Sequence, residues 1–458
     1  MYYLYISLVY LLFPFWIIFQ YIRGIKKKDY HTRWQEFLGF YSHQHNRAAP
    51  ILDGAIDNDN LQIKSVPYKA TYRSKQNRSC TSQVIWLHAA SVGEIEAANV
   101  LINYYLDNSP YKVLVTTNTE PGYVRVKALL GNRVEHVYLP LDMPGSMARF
   151  VKHFQPRLAI IMETEIWPVL CATCAKNSIP LFIVNARLSE KSAQGYRKFR
   201  FFLQQVFADI SGVIVQTEVD ALRYQSIGVN ADKIFISGNI KLDMEIPELV
   251  TGQATQYKND YFPGRTVFVV GSTHQGEEEL FLKAYQRLKQ QFPALLLILV
   301  PRQPKRAGDI ASLCQAENLN LTSWTERTPC SPATDVYLVD TIGELKQMYA
   351  IADCSFVAGS MVPIGGHNIF EPILLDVPVL FGPYMKNSEL LAQQLLDAKG
   401  AIQCFDTDDI VHNVAIILSQ AQEKDRLVSA GRAFIGQNKG ALNKTVELIE
   451  RLTATVYN

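Results

Sequence analysis

The 458-residue chain reads as two open α/β domains, and three features of its sequence say so. From residue 84 onward, short apolar runs rich in Val, Ile, Leu and Phe alternate with amphipathic stretches of helical length, the pattern of a mostly parallel sheet covered by helices. That rhythm breaks once, over the polar stretch 247–264, and then resumes. The chain is also longer than a single hydrophobic core usually sustains.

The elements follow in order. Residues 1–22 carry no charge and are dominated by Leu, Ile, Val and aromatic side chains. At about 1.5 Å per residue they match a hydrocarbon core of about 30 Å. A cleavable signal would have a charged start and a small-residue cleavage site, which are missing. Arg23, Lys26, Lys27 and Lys28 follow at once, so the segment reads as a membrane anchor with the body of the protein on the cytoplasmic side. Pro14 interrupts it, and both a spanning and an interface-lying helix remain open. Residues 23–82 read as a juxtamembrane segment and a flexible insertion, in which Asp57 and Asp59 belong to a solvated turn. Strands are expected at 84–89, 112–117, 134–139, 158–162, 180–184, 212–216 and 234–237, forming a first domain over 83–245. A linker at 246–264 leads to a second domain over 265–458, with strands at 266–270, 295–300, 335–339, 355–358 and 377–381 and helices at its end. Ligands bind beyond the carboxyl ends of such strands, so two Rossmann-like sheets facing each other would share a cleft.

Composition narrows the function. A net charge of +2 implies no nucleic-acid partner. Seven cysteines without framework spacing fit a reducing compartment, and Cys171-Ala-Thr-Cys174, with no second pair to complete a metal site, reads as ordinary packing. No Walker loop, His-Glu-x-x-His or dinucleotide fingerprint is present, which argues against ATPase, zincin and dehydrogenase chemistry.

The candidate site residues sit in loops at strand ends. The most informative is Gly359 to Pro372, a glycine-rich turn holding Gly365, Gly366, His367 and Asn368. Its backbone N–H groups would suit a phosphate, and Glu371 beyond it would suit ribose hydroxyls. After the first strand comes His88-Ala89-Ala90-Ser91-Val92-Gly93-Glu94. There Gly93 allows close backbone approach, and Glu94 is either a carboxylate complementing a helix dipole or a general base. After the fourth come Glu163 and Glu165, and after the fifth Arg187, whose guanidinium could bind an anion or pair with a glutamate. In the second half, Ser272 follows one strand and Arg302, with Lys305 and Arg306, follows the next.

Together these motifs resemble the bacterial Kdo (3-deoxy-D-manno-octulosonic acid) transferases over nearly the whole chain. The resemblance rests on His-Ala-Ala-Ser-Val-Gly-Glu at 88–94, Glu-Thr-Glu-Ile-Trp-Pro at 163–168 and Asn-Ala-Arg-Leu-Ser at 185–189. Gly-Asn-Ile-Lys-Leu-Asp at 238–243, which contains Lys241, Val-Pro-Arg at 300–302 and Gly-Gly-His-Asn-Ile-Phe-Glu-Pro at 365–372 complete it. It implies the glycosyltransferase-B architecture, with acceptor binding in the first domain and nucleotide binding in the second. It further implies transfer of Kdo from CMP-Kdo to a lipid A precursor at the cytoplasmic face of the inner membrane, without metal or other cofactor. Glu94 would be the general base, Arg302 and the 360–366 backbone would hold the leaving phosphate, and Ser272, Gly365, Gly366, His367, Asn368 and Glu371 would line the donor site. Ser91, Gly93, Glu163, Glu165, Arg187 and Lys241 would be acceptor- or donor-site residues. Gln303 stands where the family usually has His. A UDP-sugar transferase or epimerase of the same architecture, and a non-catalytic nucleotide-binding protein, are the alternatives.

Overall fold

The computed structural model describes residues 2–26, 33–41, 83–244, 248–386 and 388–457. Of the juxtamembrane segment and insertion expected at 23–82, residues 23–26 and 33–41 are among these, and the rest, with Asp57 and Asp59, lies outside them. The chain divides into two compact units, 1–244 with 439–458, and 245–438.

The first unit holds seven strands: β1 (Val84–His88), β2 (Lys112–Thr117), β3 (Glu135–Tyr138), β4 (Pro156–Met162), β5 (Leu181–Ala186), β6 (Gly212–Val215) and β7 (Ile234–Ile236). Their order is β3-β2-β1-β4-β5-β6-β7 and every pairing is parallel. All five residues of β1 are buried because helices cover both faces. Trp86, Ile161 and Leu181 face one layer with Phe150, while Leu87, Val115 and Ile160 face the other with Ile95 and Leu101.

The second unit repeats the plan with β8 (Thr266–Thr273), β9 (Leu295–Pro301), β10 (Leu321–Ser323), β11 (Val336–Leu338), β12 (Cys354–Val357), β13 (Val379–Phe381) and β14 (Ile402–Gln403). The order is β10-β11-β9-β8-β12-β13-β14, again parallel throughout. Chain order reverses between β1 and β4 in one sheet and between β8 and β12 in the other. Those switch points are where ligands enter open α/β sheets.

Three boundaries differ from expectation. The stretch 246–264 is largely a helix, Glu248–Tyr261, with Tyr257 and Tyr261 packed beside Trp324. The last helix, Ala441–Tyr457, belongs to the first unit, where Ala441, Val446 and Ile449 join the same core as Leu101. Asp243 secures its start by accepting the N–H groups of Gly440 and Leu442, at 2.6 and 2.7 Å.

The spanning form of the expected anchor is the third correction: among the described residues no helix is long and apolar enough to cross a membrane. The helix Tyr2–Lys26 instead docks its first turns on the first unit. Tyr2, Tyr5 and Ile6 pack on its core, and the Tyr5 hydroxyl donates to the buried Asp142 carboxylate at 2.9 Å. Residues 33–41 dock as well. Arg33 lies over the rings of Tyr123 and Tyr138, and buried Glu36 accepts the Tyr138 N–H at 2.8 Å.

Candidate active site

At the end of β1 the chain passes Ala89 and Ala90 and starts the helix Val92–Asn108, with Ser91 as its N-cap. Glu94 lies in the first turn. Its Oε2 accepts the Ala90 N–H at 2.8 Å and its Oε1 the Ser91 hydroxyl at 2.9 Å, while Ser91 Oγ accepts the Glu94 N–H at 3.4 Å. Glu94 therefore does serve the helix start, as one of the two readings had it. The arrangement leaves each oxygen a further lone pair. Burial pushes the Glu94 carboxyl above its ordinary range; the Ala90 N–H opposes this and the charge of Glu163 reinforces it. A Cβ added at Gly93 would meet no atom within 4 Å, so the protein leaves the space beside Glu94 open.

At the end of β4, Glu163 adopts a left-handed φ of 58°, a strained choice for a residue with a side chain. The turn buries its carboxylate, where Oε2 accepts from Arg187 Nε and Oε1 from Lys241 Nζ, both at 3.0 Å. Burial alone would raise this carboxyl, but Lys241 and then Arg187 outweigh it and hold it low. Two cations thus share one carboxylate. Asn185, also left-handed, supports Lys241 from below: its Oδ1 accepts the Ile240 N–H at 3.1 Å.

Glu165 is held differently. Its Oε2 accepts from Trp167 Nε1 at 2.7 Å, His88 Nε2 at 3.1 Å and Asn118 Nδ2 at 3.3 Å. Burial opposes ionisation here too, and the bond from His88 leads the contributions that overcome it. Behind His88, Thr116 Oγ1 lies 2.9 Å from both Trp86 Nε1 and His88 Nδ1. The Glu165 carboxylate can only accept, so His88 carries a proton on Nε2; with the ring neutral, Nδ1 then accepts from the Thr116 hydroxyl, whose oxygen accepts the Trp86 indole N–H. The sequence reading named Glu165 but neither His88 nor Asn118 as a site residue. His88 lay inside the His-Ala-Ala-Ser-Val-Gly-Glu motif; Asn118 lay in none of the motifs.

In the second unit, β8 ends in a register shift at Ser272, a buried residue with φ of 63°. Gly271 is required just before it, because a Cβ there would lie 2.0 Å from the Tyr349 hydroxyl. Beyond, buried Glu277 accepts four backbone N–H groups. Oε2 takes His274 at 3.0 Å and Gly359 at 2.8 Å, and Oε1 takes Ser360 at 3.1 Å and Met361 at 2.9 Å. The Gly366 N–H is bonded to the Gly359 carbonyl at 2.8 Å. The expectation that the 360–366 backbone presents its amides to a phosphate is therefore corrected for Ser360, Met361 and Gly366, since a carboxylate and a carbonyl of the protein hold them. The helix behind the loop, Phe370–Leu374, is five residues long, so its dipole adds little. Its start is capped by Asn368, whose Oδ1 accepts the Phe370 N–H at 3.1 Å, and Glu371 stands in its first turn. Gly365 and Gly366 are left-handed, and a Cβ at Gly366 would strike Met385 Sδ at 2.3 Å.

The cations of Pro301–Arg306 separate into two kinds. Arg306 is committed to buried Glu278, at 2.5 and 3.3 Å. Arg302 is exposed, bonds through its backbone N–H to Thr273, and among the described residues has no carboxylate partner for its guanidinium. His274 and His367 stand beside it.

Other candidates fall away. A groove of about 720 Å³ lined by Gln83, Pro156 and Ile179 lies at the amino ends of β1, β4 and β5, opposite the site. Cys171 and Cys174 are buried in the core with thiols pushed up by burial, as packing residues would be. Among the described residues no group of three or more His, Cys, Asp or Glu side chains is placed to hold a metal ion.

Comparison with known proteins agrees with the sequence motifs. Residues 32–244 match the family described as 3-deoxy-D-manno-octulosonic-acid transferase (kdotransferase). The chain is 36% identical to the 3-deoxy-D-manno-octulosonic acid transferase of Haemophilus influenzae over 85% of its own length and 93% of that relative. It is 30% identical to the transferase of the same description from Rickettsia felis over 98% and 99% of the two chains. The UDP-GlcNAc 2-epimerase of Neisseria meningitidis, a solved structure only 14% identical, covers 81% of this chain with all of its own at a TM-score of 0.56, and so shares the two-domain fold alone. With its parallel-sheet domains of glycosyltransferase-B type and this level of identity across nearly its whole length, the chain belongs to the Kdo transferase family of glycosyltransferases.

Proposed function

We propose that the protein is an inverting transferase that moves Kdo from CMP-Kdo to a lipid A precursor of the lipid IVA kind, with Glu94 as general base and no metal. The observation that carries this reading is the placement of Glu94. It lies at the carboxyl end of β1, at the switch point of the sheet, with its carboxyl raised by burial towards neutrality and open space beside Gly93. Its carboxylate takes the proton of the acceptor hydroxyl as that oxygen bonds to the anomeric carbon. The bond from that carbon to the phosphate oxygen breaks, and its electron pair leaves with CMP. Lys241, which reaches Glu163 from 3.0 Å, stands among the acceptor- or donor-site residues of this reading. At the second unit, Arg302 offers the charged donor for the leaving phosphate and Glu371 the acceptor for ribose.

The same proposal places the enzyme at the cytoplasmic face of the inner membrane, lying in the interface. Leu4, Leu8, Leu11, Leu12 and Phe15 of the first helix are all at least half exposed, as are Phe199 and Phe201 in another part of the first unit, and Lys26, Lys27 and Lys28 follow the apolar segment. The test is transfer from CMP-Kdo, generated in situ, to a tetraacylated lipid A precursor, resolved by mass spectrometry. A gain of one or more Kdo units by the wild type and none by Glu94→Gln supports the reading. Product formation by Glu94→Gln at the wild-type rate removes the base assignment, and the absence of product from folded wild type removes the acceptor.

A further inference from the structure

The loops after β8 and β12 bring two histidines into direct contact. His274 Nε2 and His367 Nε2 lie 2.8 Å apart, with the rings 6° from parallel and their centroids 5.1 Å apart. Gly359 makes room for them: a Cβ there would lie 2.7 Å from His367 Cδ2 and 3.4 Å from His274 Cδ2, and its φ of +71° is left-handed. Two ring nitrogens at this distance require one proton between them, so one imidazole donates and the other accepts. With both rings neutral, the donor ring has a bare Nδ1 and the acceptor ring a protonated one. A proton added to the bare Nδ1 leaves the bridge in place, converts it to a charge-assisted bond, and gives the pair two outward N–H donors. Among the described residues neither Nδ1 has a hydrogen-bond partner, and neither is a buried unpaired atom, so both outer nitrogens reach solvent.

Burial, and after it the charge of Arg302, disfavours a proton on either ring. Burial and then Arg302, with His274 itself, push His367 down to about 4. Burial and Arg302 also lower His274; Glu278 opposes them and Arg306 adds to them. Glu277 faces the pair from the helix side, but its carboxylate is committed to four backbone amides, including that of His274.

We propose that the His274–His367 pair answers the second negative charge of a phosphomonoester at the donor site by binding one proton as that dianion arrives or forms. This rests on the reading of the second unit as the CMP-sugar site. In CMP-Kdo the phosphate is a diester with one charge. When the anomeric C–O bond breaks, the electron pair stays on the phosphate oxygen and CMP becomes a dianion. The acceptor's proton has gone to Glu94, so nothing in that step neutralises the new charge. The pair takes its proton from solvent and faces the dianion with an added positive charge beside Arg302. It thus distinguishes product from donor by charge alone, and a neutral nucleoside does not engage it.

The experiment is calorimetric titration of the full-length protein with CMP at pH 7.5 in buffers of different ionisation enthalpy, which counts protons bound. At that pH free CMP is already mostly dianionic, its second pKa being about 6. Wild type is expected to take up roughly half a proton or more per CMP, and to bind CMP about threefold or more tightly at pH 6.5 than at pH 8. Cytidine, which lacks the phosphate, takes up none. His274→Gln and His367→Asn bring the uptake close to zero. CMP binding by wild type without proton uptake overturns the inference without recourse to any variant, and so does uptake undiminished in both variants. Failure of wild type to bind CMP at all overturns the donor-site reading on which it rests.

Discussion

The loops after β1 and β4 and the loops after β8 and β12 occupy the same place in two sheets of similar design, yet they treat their carboxylates differently. In the first unit Glu163 is balanced by Arg187 and Lys241, and Glu165 by His88, Asn118 and its near neighbour Trp167, while Glu94 rests on the Ala90 N–H and the Ser91 hydroxyl of its own loop. In the second unit Glu277 is spent on the backbone, closing the glycine-rich loop on itself, and the basic side chains beside that loop are Arg302 and two imidazoles. The first arrangement holds Glu163 and Glu165 ionised and leaves Glu94, whose carboxyl burial raises, as the proton acceptor of the proposed reaction. The second, in the proposed reaction, supplies positive charge to a phosphate that becomes more negative. Both follow from one physical rule, that a buried charge needs partners, and they differ in whether the partners are side chains or main chain.

The largest test of this contrast is Glu94→Gln, which is expected to reduce kcat by roughly 10²–10⁴-fold with CMP affinity unchanged, measured by steady-state kinetics and titration. Its counterpart in the wild type is the pH profile. Glu94 must be ionised to act and its carboxyl is raised above 4.5, so kcat/KM falls as pH drops through that raised value, and Glu94→Gln lacks this limb. An acid limb at or below 4.5 would contradict the burial argument. Next comes Arg302→Ala, which removes a charged donor worth about 1.5–3 kcal/mol and weakens CMP binding by roughly 10- to 150-fold. An unchanged dissociation constant would return the phosphate to the loop amides. Glu277→Gln replaces one acceptor oxygen with an amide that cannot accept, leaving His274 and Gly359, or Ser360 and Met361, without their partner. It should cost about 1–3 kcal/mol of stability in denaturant titration. The smallest effect is Asn118→Ala, which removes one of three donors to Glu165 at a long 3.3 Å and lowers kcat/KM by about fivefold or less.

Much of this was legible in the sequence where burial is complete. The run Val84 to His88 and the run Leu295 to Pro301 are apolar almost without interruption because helices cover both faces of each sheet, and their limits come out within a residue or two. The strands not anticipated, β10 and β14, are the two edges of the second sheet, only three and two residues long and only partly buried, with little apolar pattern to read. At the site, Glu94, Glu163, Glu165, Arg187 and Arg302 announced themselves as charges at strand ends, and Lys241 came only through the family resemblance. The roles of Glu277 and His274 did not, because an acidic run at a helix start looks like dipole complementation until the loop it closes, more than eighty residues away in sequence, is in place. The exposed first helix was read as a possible span from its composition. The structure shows Tyr2, Tyr5 and Ile6 engaged with the core, which composition does not reveal.

The return of the chain to the first unit at residue 439 has a consequence for biosynthesis. Asp243, just before the second unit, binds the amides of Gly440 and Leu442, so the points of departure and return lie side by side and 245–438 is in effect an insertion. The core that holds Leu101 and Ile240 lacks Ala441, Val446 and Ile449 until the final helix has been translated. On the ribosome, therefore, the first unit to be made is the last to be finished. Until then it presents an uncovered apolar face for as long as translating the second unit takes, about 10–40 s at roughly 5–20 residues per second.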